Sequence, residues 1–174
     1  MFTGIIEAMG RISDIRNEGS NKEFKIESPI SHELKIDQSV SHSGVCLTVV
    51  EAQDKFHWVV AVQETLQKSN LNSVKVDDLL NLERCMLYNG RFDGHIVQGH
   101  VDQTAVLKTL KNANGSWLYT FEYDPSLGNV TVEKGSIAVD GVSLTCFDSR
   151  PAAFTVGIIP YTEKHTKFNQ LNIG

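Results

Sequence analysis

Apolar and polar residues alternate in short runs along most of this chain, and Gly, Asn, Asp and Pro break the runs. Phe24-Lys-Ile-Glu27, Cys46-Leu-Thr-Val-Val50, Phe56-His-Trp-Val-Val-Ala-Val62 and Trp117-Leu-Tyr-Thr-Phe-Glu-Tyr123 carry the two-residue period and the β-branched and aromatic content of strands. The 3.6-residue period of helices is scarce, and its best short candidates are Ser31–Lys35, Thr65–Asn70 and Thr162–Phe168. Many short strands separated by turn residues predict an all-β barrel or sandwich.

The pattern also repeats. Ser39-Val-Ser-His-Ser-Gly-Val-Cys-Leu-Thr48 lies over Ser136-Ile-Ala-Val-Asp-Gly-Val-Ser-Leu-Thr145 at an offset of 97, with five of ten positions identical. The same offset puts Phe24 over Phe121, Glu27 over Asp124 and Thr65 over Thr162. At an offset of 95, Gly4-Ile-Ile-Glu7 lies over Gly99-His-Val-Asp102. A loop insertion accounts for the two-residue difference, and the shared order of the matches argues for a duplication. One unit then spans about residues 1–86 and the other 95–174, joined by a linker, Leu87-Tyr-Asn-Gly-Arg-Phe-Asp-Gly94. Leu79-Leu-Asn-Leu-Glu83 reads as the closing strand of the first unit, and its counterpart would fall at 176–180, past Gly174. Either the second unit's closing strand lies outside these 174 residues, which is the expectation preferred here, or the second barrel closes differently.

Composition narrows the function classes. The net charge of −5 is spread along the chain with no basic stripe, which argues against nucleic acid as a partner. No apolar run approaches the roughly 20 residues that cross a bilayer, and the N-terminus lacks a secretory pattern, so no membrane partner is expected. Three cysteines without CxxC spacing argue against a disulfide framework and a zinc site, and point to reduced thiols in the cytoplasm.

Four motifs, in order, resemble the riboflavin synthase family: Met1-Phe-Thr-Gly-Ile-Ile-Glu7, Ser43-Gly-Val-Cys-Leu-Thr-Val49, Gly94-His-Ile-Val-Gln-Gly-His-Val101 and Ile137-Ala-Val-Asp-Gly-Val-Ser-Leu-Thr145. The resemblance spans essentially the whole chain. It implies two tandem antiparallel Greek-key β-barrels, with a C-terminal helix that joins three subunits in the full-length protein. It also implies dismutation of two 6,7-dimethyl-8-ribityllumazine molecules, by transfer of a four-carbon unit, to riboflavin and 5-amino-6-(D-ribitylamino)uracil. No metal or organic cofactor is implied; association with lumazine synthase is. A non-catalytic lumazine- or flavin-binding antenna protein of the same fold is the alternative. Persistence of the Gly-containing N-motif, the Leu-Thr motif and the Thr65/Thr162 position in both units favours the enzyme.

Two copies of one substrate suit a duplicated fold, and the positions where the copies differ allow one molecule to give and the other to receive. Ile5 corresponds to His100, Cys46 to Ser143 and Asp37 to Lys134, which places a thiol in one unit and a base and a cation in the other. A free cysteine is commonly a core residue, but the resemblance makes Cys46 a candidate for nucleophilic or positioning work. Cys85 and Cys146 read as packing residues. His100 is the preferred acid/base group and His95 a supporting one, since an unperturbed imidazole titrates near pH 6.5 and suits proton transfer from the lumazine's acidic methyl group. His32, His42, His57 and His165 read as surface or strand residues. The resemblance adds Phe2, Ser39 and Ser143 to the candidate catalytic set. For the pteridine ring and its surroundings it implies Gly4, Ile5, Ile6, Leu47, Thr48, Val62, Gly99, Val101, Lys134, Leu144, Thr145 and Ile159. For the ribityl chain it implies Glu64, Thr65, Pro160 and Thr162. There the second unit departs from the family's Pro-Glu-Thr, having Pro160-Tyr161-Thr162.

Overall fold

The computed structural model describes all residues from Met1 to Gly174. The first unit contains β1 (Ala8–Glu18), β2 (Asn21–Glu27), β3 (Ser39–His42), β4 (Val45–Ala52), β5 (Phe56–Ala61) and β6 (Leu79–Arg84), with helix α1 (Gln63–Lys68) before β6. These strands close an antiparallel barrel in the order β1-β2-β5-β4-β3-β6. Closure depends on β6, which pairs with β1 on one side and β3 on the other.

The second unit contains β7 (Ala105–Asn112), β8 (Trp117–Tyr123), β9 (Ser136–Val139), β10 (Val142–Arg150), β11 (Ala153–Ile158) and helix α2 (Pro160–His165). Its order, β7-β8-β11-β10-β9, repeats that of β1 to β5, but β7 and β9 remain free edges. The fold is therefore the all-β duplication expected. Within residues 1–174 the second copy has the barrel's strand order without a counterpart of β6. No helix is long and apolar enough to cross a membrane.

Alternation along each strand fixes which side faces in. Phe24 and Ile26 of β2, Val40 of β3, Val45, Leu47 and Val49 of β4, Val59 and Ala61 of β5, and Leu80 and Leu82 of β6 fill the first barrel. Leu107, Tyr119, Phe121, Val142, Cys146, Phe154, Val156, Ile158 and Phe168 form the second core. Cys146 packs there as expected. Cys85 does not: it is exposed, and its thiol donates to the Ser39 carbonyl at 3.2 Å. The helices begin two residues earlier than their periodicity predicts, because Val62 and Ile159 are extended caps and Pro160 suits a first helical position. Ser31–Glu33 forms a single 3-10 turn. Asp37 and Lys134, unlike in chemistry, both have positive φ, 70° and 63°, so the copies share a turn geometry where their sequences diverge.

Candidate active site

The inward set of each barrel leaves a second set on the outside of the same strands. In the β3–β4 hairpin, Ser39 pairs with Thr48 and Ser41 with Cys46. In β9–β10, Ser136 pairs with Thr145 and Ala138 with Ser143. These equivalent quartets lie opposite Val40 and Leu47, and Ile137 and Leu144, which pack against the two cores. Leu47 and Leu144 thus support their hairpins from beneath, while the hydroxyls and the thiol stand on the outer faces.

The two hairpin turns meet. Ser43-Gly44 and Asp140-Gly141 have positive φ at both residues, the geometry of tight hairpin turns. A Cβ on Gly44 would lie 2.8 Å from the Gly141 nitrogen, and one on Gly141 would lie 2.6 Å from the Gly44 nitrogen. A second pseudo-symmetric contact joins Phe2 to Val97, whose backbones form a two-bond antiparallel bridge with N···O distances of 2.8 and 3.0 Å.

This bridge makes the N-terminal motifs cross over. The Cys46 amide donates to the Gly99 carbonyl at 2.9 Å, and the Ser143 amide donates to the Gly4 carbonyl at 2.8 Å. Gly4 and Gly99 have φ of 78° and 83°, and a Cβ at either would come within 2.7 Å of the opposite unit's Ser143 or Cys46. Only glycine permits that approach. Beyond each glycine, Ile6 packs against the second core and Val101 against the first.

The crossing corrects the division of groups expected from the repeat. His100 follows Gly99, whose carbonyl accepts the Cys46 amide of the first unit's hairpin. Ile5 follows Gly4, whose carbonyl accepts the Ser143 amide of the second unit's hairpin. The backbone that carries His100 is therefore bonded to the strand that carries the thiol instead of standing wholly in the opposite unit. Offsets in sequence register copies but cannot show which copy a segment packs against.

Ser143 has its own imidazole. His95 Nδ1 lies 2.6 Å from Ser143 Oγ, and the His95 backbone amide donates to the Thr3 carbonyl at 3.0 Å. Partial burial lowers the His95 pKa from its usual value, and the nearby negative charge of Glu83 partly opposes that shift. The ring is thus held neutral at neutral pH, and with its proton on Nε2 it accepts from the serine hydroxyl. His100, the preferred acid/base group of the sequence reading, is exposed. Phe2 is fully buried on the bridge, with its ring 3.0 Å from where a Gly99 Cβ would stand. Lys134 is exposed, its Nζ 5.9 Å from the centre of the Phe147 ring.

The helices differ as their sequences do. Glu64 is exposed and bonded to Lys68 at 2.8 Å, whereas the equivalent pair in α2, Tyr161 and His165, stacks with ring centres 4.2 Å apart. Three seam residues escaped the sequence reading. Asn81 and Glu83 project from the outer face of β6, and half-buried Asp140 occupies the β9–β10 turn. Asn81 Nδ2 donates to the Asp140 carbonyl at 2.9 Å, and Asn70 Nδ2 donates to the Asp140 carboxylate at 2.9 Å. Burial pushes the Asp140 pKa up. Their signal was only an Asn and a Glu on the polar phase of a closing strand. A cavity of about 770 Å³ is lined by Leu107, Phe121, Cys146 and Phe154, by residues 95–106, and by Ser43, Gly44 and Val45 of the first unit.

The family model of the lumazine binding domain matches this chain twice, over residues 3–85 and 98–174. A riboflavin synthase of Bacillus subtilis is 39% identical over 175 residues, spanning all of this chain and 81% of the relative. The chain belongs to the riboflavin synthase family. Other family members include the enzyme of Actinobacillus pleuropneumoniae, 38% identical with the same coverage, and that of Escherichia coli, 32% identical over 177 residues and 83% of its length. The family's fold recurs in LumP complexed with riboflavin, with a TM-score of 0.91 at 18% identity over all of this chain and 95% of that one. LumP complexed with 6,7-dimethyl-8-(1'-D-ribityl) lumazine gives a TM-score of 0.88, again at 18% identity.

Proposed function

We propose that the protein catalyses the riboflavin synthase reaction. A four-carbon unit passes from one 6,7-dimethyl-8-ribityllumazine to another, giving riboflavin and 5-amino-6-(D-ribitylamino)uracil. The observation that carries this reading is the pair of equivalent but unequal grooves, each built from a Gly–Leu-Thr junction contributed by both units. Equivalence lets each groove hold the same pteridine, and inequality lets the two molecules play different parts. In the first-unit groove, His100 takes the acidic methyl proton while Cys46 holds or attacks the ring. In the second-unit groove, Ser143 passes its proton to His95 Nδ1 and acts on the partner molecule.

Incubation with 6,7-dimethyl-8-ribityllumazine alone should yield riboflavin fluorescence, with one pyrimidinedione per riboflavin. Ligand binding without turnover would overturn the reading and fit an antenna protein. His100→Ala and Cys46→Ala should each lower kcat by about a hundredfold or more, with ligand Kd changing far less. Wild-type rates in both would remove them from the mechanism.

A further inference from the structure

Glu83 is a carboxylate only 4% exposed, set in the seam between the units where an apolar residue or an amide would be easier to bury. It does not form an ion pair. Its two oxygens instead take three donors from two adjacent residues, two backbone amides and one hydroxyl. Oε1 accepts from the Thr3 amide at 2.6 Å and from the Thr3 hydroxyl at 2.8 Å, while Oε2 accepts from the Gly4 amide at 2.9 Å. The carbonyls of the same two residues point the other way, into the groove. That of Thr3 receives the His95 amide, and that of Gly4 receives the Ser143 amide. His95 and Ser143 then meet side chain to side chain at 2.6 Å.

We propose that Glu83 is a positioning residue for the Ser143–His95 pair, acting through the backbone of Thr3 and Gly4. The inference rests on the synthase reading above. Glu83 thus pre-organises the junction that carries Ser143. Charge matters as well as shape. Gln at this position would fill the same volume, but its NH2 would confront the Gly4 amide, and the negative charge that keeps His95 more basic would be lost. Glu83 is the only ionisable neighbour that acts on His95.

The test compares Glu83→Gln, Glu83→Asp and wild type, with rates normalised to folded protein. Glu83→Gln should lower kcat by between about tenfold and a hundredfold while KM moves by less than about threefold. It should also shift the His95 titration, followed by NMR in unliganded protein, to lower pH. Glu83→Asp keeps the charge and should return that titration towards wild type. In a Ser143→Ala background, Glu83→Gln should cost little more, because the pair it positions is already broken. Three outcomes would overturn the proposal: an unmoved His95 titration, a rate loss equal to the loss of folded protein, or full additivity with Ser143→Ala. If the wild type makes no riboflavin, the synthase reading fails, yet the His95 titration still decides whether Glu83 acts on this pair.

Discussion

His42 and His57 face each other inside the first barrel, Nε2 to Nε2 at 2.9 Å, and their protons can be assigned from one end of the chain they form. His42 Nδ1 lies 3.0 Å from the Val40 carbonyl, which only accepts, so Nδ1 carries the proton and Nε2 must accept. His57 Nε2–H then donates to His42, and its free Nδ1 takes the Ser31 hydroxyl at 2.9 Å. Ser28 completes the row at 3.0 Å from Ser31. A second proton on His42 would set donor against donor, and one on His57 would place a charge in the same buried space. Burial lowers His42 to about 3, with repulsion from His57 adding to it, and lowers His57 to about 4, against 6.5 when unfolded. A depressed histidine pKa means that the unfolded chain binds protons first, so the stability is whole above pH 6.5 and is lost as pH falls towards 4. The two sites together approach a slope of about 2.7 kcal/mol per pH unit. Urea denaturation from pH 7.5 to 4.5 should show this loss. His57→Gln should be less stable than wild type at pH 7 by about 1–2 kcal/mol yet flatter below it. An unchanged slope would show that carboxylates alone govern acid sensitivity. The sequence left both histidines as surface or strand residues and could not show that they meet, since β4 separates their strands in the sheet.

At the scale of elements, legibility followed the strength of the period. β8 was readable residue for residue, and β2, β4 and β5 to within a few residues, because each alternates across a half-buried sheet. β1, β7 and β11 escaped, and β7 shows why: of Ala105–Asn112 only Leu107 is buried, so there is little contrast to read. The hairpins β3–β4 and β9–β10 were legible as motifs because Ser-Gly and Asp-Gly turns and the Leu-Thr pairs recur. What sequence could not show was the exchange of Gly4 and Gly99 between units, which joins Gly99 to Cys46 and Gly4 to Ser143 across long stretches of chain. That exchange has a measurable cost of disruption. Gly99→Ala places a methyl 2.6 Å from the Cys46 Cβ at φ 83°, whereas Gly19→Ala at φ 61° meets nothing within 4 Å. Strain alone should cost Gly19→Ala about 1–2 kcal/mol, and crowding should add a further 1–3 kcal/mol at Gly99. Urea midpoints would measure the difference. Equal losses would mean that the Gly99–Cys46 junction yields easily and does not hold the first groove in shape.

Across the whole molecule, the duplication hides an imbalance that the pattern of residues understates. Both units share a strand order, but the first closes through β6 over a core of 16 buried apolar residues, while the second has nine and leaves β7 and β9 as free edges. Apolar burial scales with the area removed from water, so the first barrel holds the larger share of the folding free energy. Free edges also expose backbone amides that β6 covers in the first unit. Val106 and Leu110 on β7, with Val130 and Val132 ahead of β9, stand exposed along that opening, and the 770 Å³ cavity lies behind it. The second unit should therefore open at lower free energy than the first. Hydrogen exchange read by mass spectrometry should find peptides of β1 to β6 protected longest. Those of β7 and β9 should exchange fastest, and β8, β10 and β11 should lie between. Saturation with 6,7-dimethyl-8-ribityllumazine should slow exchange around Gly4, His95 and Ser143 as well as Cys46 and Gly99, because each groove joins segments of both units and ligand in one braces the other. Uniform protection across both units would contradict the imbalance. Protection confined to Cys46 and Gly99 would show that only the closed barrel's groove is competent, leaving the transfer without its second participant.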